Sequence, residues 1–470
     1  MDAFTRELMR RSPLAASVLE ACDYMFDDPL LASIWEAGRG RCYEDRLSFD
    51  ALLRLMRDAL IRHGGSAHQL FVELESDQRH PIDESNFYRK LARTPTAVSR
   101  GLLKGCTERL AALMPQSSHG FPRCFDSFEL IVVDGKKIKN ATKRLKPARG
   151  YQGALLGAAA LVALNLRNGM AIAFSDSLDG MSNDVPLVAE LMPQLHALFA
   201  DRPILSIWDR QFDDLRTFGR LSARPQDAWI VRVAQKQVPF VAQESVKTVD
   251  SQGRTVLDEI GVLGSEGKTL RVRRITLFRD NAAGEEDIIL HSNLLDRQRY
   301  SAVDLLELYR LRWGIEQVFQ QVTTTFSLEH LIGSSPKATL LQFSFCLLLY
   351  NLMQLIRAWV ADGGKVLASS VSLFYLFNDC RKELEAWAYH TNGQWPRTQR
   401  TAAQMRERLA ELLAETWDPI RYTKNADKKP RPKPKPKQRL HGGYSSVQRV
   451  LEGRARVVGA KKCKSAEGVP

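Results

Sequence analysis

The sequence is poor in the residues that build zinc sites and disulfide frameworks. Its seven cysteines are scattered over 470 residues without a CxxC pair, and its nine histidines lack the HExxH spacing. Structural zinc sites and disulfide-rich scaffolds depend on closely spaced ligands of these two kinds. The sequence therefore argues against a zinc knuckle and a disulfide framework, and it predicts a reducing setting.

Long uninterrupted apolar runs are also missing. The segment MDAFTRELMRR at the start has no apolar stretch of the signal-peptide kind. The most apolar window, residues 340–360, contains Gln342, Asn351, Gln354 and Arg357, which a lipid-facing helix rarely carries. We therefore expect this window to be a buried helix of a globular protein. The expected setting is cytoplasmic, without a membrane partner.

Acidic residues are outnumbered, with 54 Asp and Glu against 67 Lys and Arg and a net charge of +13. Residues 424–470 hold fourteen of the basic residues against three acids, so the rest of the chain is close to neutral. The stretch KNADKKPRPKPKPKQR alternates cations with proline, which is typical of an extended, disordered arm. We predict that this tail contacts a polyanion; the alternative is a solubilising tail. A polyanion site elsewhere must be a local patch.

Hydrophobic periodicity changes along the chain, and 44% hydrophobic residues suffice for more than one core. It predicts a helical N-terminal region (1–122), a first core part (123–235), a β-rich insertion (236–291), a second core part (292–365), a C-terminal helical region (366–423) and the basic tail (424–470). In the first region, a short helix, a turn and a basic helix with Arg89, Lys90 and Arg93 fit a helix-turn-helix. An ordinary helical bundle with a solvated basic face fits equally well.

Strands and helices alternate between Phe128 and Gln235 in the order β-β-β-α-β-α-β, which predicts a mixed α/β sheet. Asp134 in FELIVVDGKKIK and Asp209 in PILSIWDRQF each follow an apolar strand. If each strand ends at its acid, both carboxylates lie at one rim of the sheet. The acids that could replace the second of them are Asp176, Asp179, Asp184, Asp213 and Asp214.

A single helix is predicted from a capping box at Ser301 to about Thr323. At about 100° per residue, one face of it is polar and a separate stripe, which includes Leu311, is apolar. We expect the stripe to pack on the sheet and the polar face to present a carboxylate beside a guanidinium and a phenol. The polar face carries Tyr309, Arg312, Glu316, Gln320 and Thr323.

Three carboxylates, Asp134, Asp209 and Glu316, have no histidine or cysteine beside them in the sequence. Such hard oxygen ligands suit Mg²⁺ or Mn²⁺ rather than zinc. Two such ions, about 4 Å apart, can activate a water or a 3′-hydroxyl and stabilise the leaving oxygen of a phosphodiester. The sequence thus predicts a site with two divalent ions for phosphodiester chemistry.

The order VVDGK, WDRQF, a β insertion and then Tyr-x2-Arg-x3-Glu resembles the DDE transposases of the IS-four type, over about residues 128–333. The resemblance implies an RNase H-like catalytic core in which Asp134, Asp209 and Glu316 are the metal-binding catalytic triad. It also implies DNA contacts by Tyr309 and Arg312, by Arg210 after the second acid, and by Trp313 after the arginine. The N-terminal region with Arg89 and Lys90 would hold DNA as well.

One position departs from the family pattern, because the lysine expected seven residues after the glutamate is Thr323 here. Lys136, Lys137 and Lys139, just after the first acid, could supply the missing ammonium to a DNA phosphate. Trp313 could stack on an unpaired or flipped base, or it could pack into the core.

The resemblance implies a transposase that binds terminal inverted repeats and performs metal-dependent strand cleavage and strand transfer, in cut-and-paste transposition. Its partners would be the double-stranded DNA of transposon ends and target, with a homodimer assembled on paired ends. Thr323 favours one alternative, a DNA-binding protein of transposase descent that no longer cuts. The other alternative is a general RNase H-fold nuclease, which would show no preference for inverted-repeat ends.

Overall fold

The computed structural model describes most of the chain. The described residues are 3–42, 47–63, 65–76, 83–116, 120–139, 141, 144–149, 151, 153–234, 238–265, 267–279, 286–326, 328–330, 332–391, 399–423 and 443–455.

The chain begins with a group of helices. They are α1 (Ala3–Arg11), α2 (Pro13–Met25), α3 (Asp28–Gly38), α4 (Phe49–Ile61), α5 (Ala67–Ser76), α6 (Glu84–Arg93) and α7 (Thr96–Ala111). Side chains cap the starts of α4, α5 and α6: Ser48 accepts a hydrogen bond from the amide of Ala51, Ser66 accepts one from the amide of Gln69, and Asp83 accepts one from the amide of Ser85. The short helix and the basic helix predicted from the sequence correspond to α5 and α6.

A nine-stranded sheet follows, together with two helices and a short separate strand. These elements are β1 (Glu129–Ile138), β2 (Ala154–Leu156), β3 (Ala158–Asn165), β4 (Met170–Ser177), α8 (Val188–Leu198), β5 (Ile204–Trp208), α9 (Leu215–Leu221), β6 (Ala228–Arg232), β7 (Phe240–Val249), β8 (Thr255–Ser265), β9 (Lys268–Leu277) and β10 (Ile288–Ser292). The order in the sheet is β4-β3-β1-β5-β6-β10-β9-β8-β7.

The first five strands of this sheet have the arrangement of an RNase H-like core. β4, β3 and β1 are antiparallel neighbours, whereas β1, β5 and β6 run parallel to one another. The mixed α/β fold predicted from the sequence is confirmed. The β-rich insertion is not a separate sheet, because β10 pairs with β6 and continues the core sheet through β9 to β8 and β7.

Helices dominate the rest of the chain. They are α10 (Ala302–Arg310), α11 (Trp313–Thr324), α12 (Pro336–Gly363), α13 (Leu373–Thr391), α14 (Ala402–Leu413), α15 (Pro419–Tyr422) and α16 (Val447–Leu451), with β11 (Tyr444–Ser446) between the last two. One face of the sheet shares an apolar core with the N-terminal helices and with α10 to α14. The other face packs against α8 and α9.

The apolar window 340–360 lies within α12, at the centre of the molecule. α12 is long and apolar enough to cross a membrane, but its most apolar window is entirely buried inside the fold. Two of its amide side chains have partners there: the Asn351 amide donates to the Ala171 carbonyl at 2.7 Å and accepts from the Ala171 amide at 2.8 Å. Gln342 likewise accepts from the amide of Ile332 at 2.8 Å. These bonds explain how a buried helix carries amide side chains.

The basic tail is only partly within the described residues. Its Lys/Pro stretch, residues 424–442, and residues 456–470 lie outside them. Residues 443–455 differ from the disordered tail that the sequence predicted, because they form β11 and α16. β11 pairs in parallel with β2, and Arg449 forms an ion pair with Asp179 at 2.8 Å.

Candidate active site

Asp134 and Asp209 lie at the same level on neighbouring parallel strands. The prediction that both acids end strands was wrong for Asp134, because β1 continues to Ile138. The strand that ends is β5, at Trp208. The register pairs Val132 with Ile207, so that two residues further on Asp134 stands level with Asp209. Since side chains alternate along a strand, both carboxylates face the side on which α11 packs.

The predicted single helix around Glu316 is in fact two helices. α10 ends at Arg310 and α11 begins at Trp313, and in the turn between them the Arg312 amide donates to the Tyr309 carbonyl at 3.0 Å. This break leaves Leu311 outside the apolar stripe, with 42% of its surface exposed. Arg312 is instead only 4% exposed. The break therefore turns the arginine, and not the leucine, toward the interior.

Arg312 contacts two of the three carboxylates and interacts electrostatically with the third, Asp209. Its Nη2 donates to Glu316 Oε1 at 2.9 Å, and its Nη1 lies 3.7 Å from Asp134 Oδ2. Burial opposes the charge on the guanidinium, but Tyr309, Asp209, Glu316 and Asp134 together raise the pKa of Arg312. Its Nε and Nη1 atoms are buried without a hydrogen-bond partner. Because Nη1 faces Asp134, Nε is the donor left without any partner, and the guanidinium keeps capacity for a further anion such as a phosphate.

Negative charge accumulates around Asp134. Burial raises the pKa of this carboxyl from 3.8 to about 6, and Asp209 and Glu316 contribute to the rise. The amide of Gly135, which donates to Asp134 Oδ1 at 2.8 Å, and the Arg312 guanidinium act in the opposite direction. A cation bound beside Asp134 would lower this pKa, because it would oppose both the burial penalty and the charges of Asp209 and Glu316.

The donor set has the chemistry of a site for Mg²⁺ or Mn²⁺. It consists of three carboxylates, which are the ligands these hard ions prefer. Over the described parts of the chain, no three His, Cys, Asp or Glu side chains are close enough to bind one metal ion together. The three residues fit such an ion by the chemistry of their side chains and by the raised pKa of Asp134, which a bound cation would lower. The three carboxylates share one guanidinium as their counterion.

The aromatic residues beside Arg312 have opposite environments. The guanidinium carbon lies 5.9 Å from the ring centres of both Tyr309 and Trp313. Tyr309 is 3% exposed, whereas Trp313 is 61% exposed. Of the two interpretations of Trp313, packing in the core is therefore excluded.

Arg210 is half exposed, and its guanidinium is 3.9 Å from Glu286.

The ammonium of Lys136 lies beside Thr323, where the family that this sequence resembles has a lysine. Its Nζ donates to Thr323 Oγ1 at 3.0 Å and to the Phe319 carbonyl at 3.5 Å. The ammonium also lies 5.4 Å from the centre of the Phe319 ring. Because side chains two residues apart share a face of a strand, Lys136 and Asp134 point to the same side of β1. An ammonium is therefore present beside residue 323, although it comes from another element.

Lys137 has a different role, because it points to the opposite face of β1. Its Nζ donates to Asp184 Oδ1 at 2.6 Å and to the Ser182 carbonyl. Gly135 makes room for this pair, since a Cβ at that position would stand 2.1 Å from Asp184 Oδ2. Asp184 is therefore held on the other side of the sheet from the Asp134 carboxylate.

The remaining acids that could have replaced Asp209 all have partners of their own. Asp176 pairs with Arg100 at 2.7 Å, Asp179 with Arg449 at 2.8 Å, Asp213 with His291 at 3.2 Å, and Asp214 accepts from the Thr217 amide at 2.9 Å. These four acids stabilise packing or a helix start. Their positions favour Asp209 as the second acid of the site.

Arg89 and Lys90 lie on α6, in the N-terminal helical region. Arg89 is exposed, while Lys90 is 8% exposed with its Nζ 4.0 Å from the centre of the Trp35 ring.

The sequence did not point to Arg232 as a residue of the site. The register of β5 with β6 places it level with Asp209, and its charge acts on the Tyr309 hydroxyl. Its position directly after an apolar strand, like that of Asp209, was the available signal.

Comparisons with known proteins find similarity to transposases. Residues 127–352 match the family model of the transposase DDE domain. A protein described as "Putative transposase y4zB" from Sinorhizobium fredii (strain NBRC 101917 / NGR234) is 31% identical over 119 residues. That match spans 24% of this chain and 32%, about a third, of the relative. A cryo-EM structure of a piggyBac transposase synaptic complex with hairpin DNA is similar at a TM-score of 0.42 and 12% identity, covering 84% of this chain and 85% of that one.

Proposed function

Since this chain belongs, through residues 127–352, to the transposase DDE domain family, we propose that it is a DNA transposase acting on the ends of its own mobile element. It binds the terminal inverted repeats, cleaves the strands there and transfers the freed 3′ ends to target DNA, in cut-and-paste transposition. The observation that carries this proposal is the buried guanidinium of Arg312, which donates to Glu316, lies 3.7 Å from Asp134 and interacts electrostatically with Asp209.

The three carboxylates would hold the divalent cations, Mg²⁺ or Mn²⁺, with two ions expected for each site. When bound, such ions activate a water or 3′-hydroxyl and stabilise the charge on the leaving oxygen. The side chains around them position the DNA. Arg312 would contact the scissile phosphate with donor capacity that its bond to Glu316 does not use, and Lys136 holds an ammonium beside Thr323. Trp313 offers an exposed indole for stacking on an unpaired base.

The proposed partners are the double-stranded DNA of the transposon ends and of the target. Tyr309, Arg312, Arg210 and Lys136 would act near the cut. Paired ends bring two copies of the protein together, so we propose a homodimer in the DNA complex. The proposed place of action is the cytoplasm, at the nucleoid.

Strand cleavage on a defined substrate tests the proposal. The purified protein is incubated with Mg²⁺ and a duplex that carries the ends flanking its gene, and the products are separated on a denaturing gel. The wild type is expected to nick at the ends, and Glu316→Gln is expected to be inactive. Asp184→Asn is the matched control, because that carboxylate lies on the other side of β1. Equal nicking by Glu316→Gln would refute the assignment.

A second candidate is a DNA-binding protein that no longer cuts. Two observations favour it: Thr323 stands where the family has lysine, and the carboxylates in the described structure share a guanidinium rather than one coordination sphere. Binding to the ends without nicking, unchanged in Asp134→Ala, would select this candidate. Equal cleavage of end-containing and unrelated duplexes would instead indicate a general nuclease.

A further inference from the structure

A basic groove lies between the N-terminal helices and the first turn of α12. Its volume is about 630 Å³. Among the described residues that line it, none is acidic and six are cationic. The six, which define the α6 groove below, are Arg39, Arg41, Arg89, Lys90, Arg93 and Lys337.

The wall formed by α6 carries two exposed arginines on one helix face. Arg89 and Arg93 are four residues apart, the spacing at which side chains on a helix are neighbours. Like charges at this spacing repel each other and destabilise the helix. Lys90, between them, turns inward over Trp35 and anchors this face of α6 to α3. The two arginines are thereby held side by side at the groove.

The opposite wall belongs to the transposase DDE domain. Lys337 stands in the first turn of α12, after the N-cap Ser335, whose hydroxyl accepts from the Ala338 amide at 3.2 Å. The positive end of the helix dipole adds to the charge of the lysine there. A polyanion in the groove would therefore contact the N-terminal helices and the DDE domain at the same time.

Arg39 pairs with Glu36 at 2.8 Å, but most of the other cations of the α6 groove have no such acid partner. Within the described structure, Arg41, Arg89, Arg93 and Lys337 have no carboxylate at ion-pair distance. Asp83, which caps α6, attracts Arg89 but does not line the groove. On an ordinary solvated helix face such as that of α4, the arginine is instead matched by an acid one turn away. Four unpaired cations around one concave surface indicate a site for an external polyanion.

We propose that the α6 groove binds the phosphate backbone of duplex DNA, as a second DNA contact outside the catalytic triad. The choice of DNA as the polyanion rests on the proposed function. Arg89, Arg93 and Lys337 contact phosphates, and these contacts are independent of sequence because phosphates carry no base information. The groove thus fixes the position of bound DNA relative to the DDE domain.

The salt dependence of binding tests this inference. Binding of a fluorescent duplex is measured in EDTA over a range of salt concentrations for the wild type and Arg89→Gln/Arg93→Gln. Loss of two phosphate contacts is expected to reduce the slope of log K against log salt by about 1.8. The control pair, Arg381→Gln/Lys382→Gln, removes the same charge from exposed positions on α13 and is expected to leave the slope unchanged. Thermal unfolding verifies that both pairs are folded.

The outcomes separate this inference from the proposed function. Because binding in EDTA requires no cleavage, a smaller slope in the groove variant supports the inference even if the wild type never nicks DNA. Slopes that change equally in the two double variants, or in neither, would overturn the groove as a DNA site while leaving cleavage untouched. A loss seen with single-stranded DNA but not with duplex would overturn the choice of duplex.

Discussion

Replacing Asp134 by asparagine should stabilise the metal-free protein. Burial raises the pKa of this carboxyl from 3.8 to about 6. At about 1.4 kcal/mol per tenfold change in the ionisation constant, this difference corresponds to about 3 kcal/mol. An acid with a raised pKa in the folded state contributes stability below its unfolded pKa and loses it as the pH rises through the folded value. The wild type therefore loses up to about 3 kcal/mol between pH 4 and pH 7.

Asparagine resembles the protonated acid and can still accept the hydrogen bond from the Gly135 amide. We therefore expect Asp134→Asn to raise the free energy of unfolding by about 2–3 kcal/mol at pH 7.5 and by little near pH 4. Urea unfolding in EDTA at a series of pH values measures this difference. Added Mg²⁺ should narrow the gap at pH 7.5, because a ligand of the folded wild type stabilises it.

Asp184→Asn is the matched control, since it removes a carboxylate from the other side of the same strand. Its ammonium partner, Lys137, stays behind. This substitution should cost about 1–3 kcal/mol at pH 7.5, the opposite sign. A destabilising effect of Asp134→Asn, or one that does not change between pH 4 and pH 7.5, would refute the view that burial and the neighbouring acids make the charged form of Asp134 unfavourable.

Three further substitutions test separate parts of the account. Lys136→Met should lower the cleavage rate at least about 100-fold, because it removes a donor near the charge that develops during cleavage. Adding Thr323→Lys should restore the cleavage rate, and a double variant as slow as Lys136→Met would contradict this role of the ammonium. Trp313→Ala should change the free energy of unfolding by less than about 0.5 kcal/mol, because the indole is exposed, but should weaken binding to hairpin or unpaired DNA ends by about 1–3 kcal/mol. Equal weakening of binding to a fully paired duplex would contradict the stacking role. Asn351→Leu should cost about 2–4 kcal/mol in urea unfolding, because the buried amide and carbonyl of Ala171 lose their partner; a loss under about 1 kcal/mol would contradict it.

Local patterns in the sequence predicted the sheet and the residues of the site. The apolar strands before Asp134 and Asp209 are recognisable because they are buried on both faces. Local patterns did not predict that Asp134 and Asp209 stand level with each other on β1 and β5. This alignment depends on β5 ending level with the middle of β1, which is a property of the register between two strands and not of either strand alone.

The break between α10 and α11 could not be found from periodicity either. Leu311 and Arg312 both continue the helical pattern, and the choice of which one is buried is made by the carboxylates that attract the arginine. The lysine missing at position 323 is a similar case. A contact between Lys136 and Thr323 joins residues that are 187 positions apart in the chain, and only the packing of α11 on β1 brings them together.

Binding of Mn²⁺ to the free protein, followed by electron paramagnetic resonance, tests the central claim most directly. If Asp134, Asp209 and Glu316 form one metal-binding active site, then Asp134→Asn, Asp209→Asn and Glu316→Gln should each weaken Mn²⁺ binding at least about tenfold, as expected for the loss of a charged oxygen ligand. Asp184→Asn should bind Mn²⁺ as the wild type does. Unchanged Mn²⁺ affinity in the three variants would contradict the account.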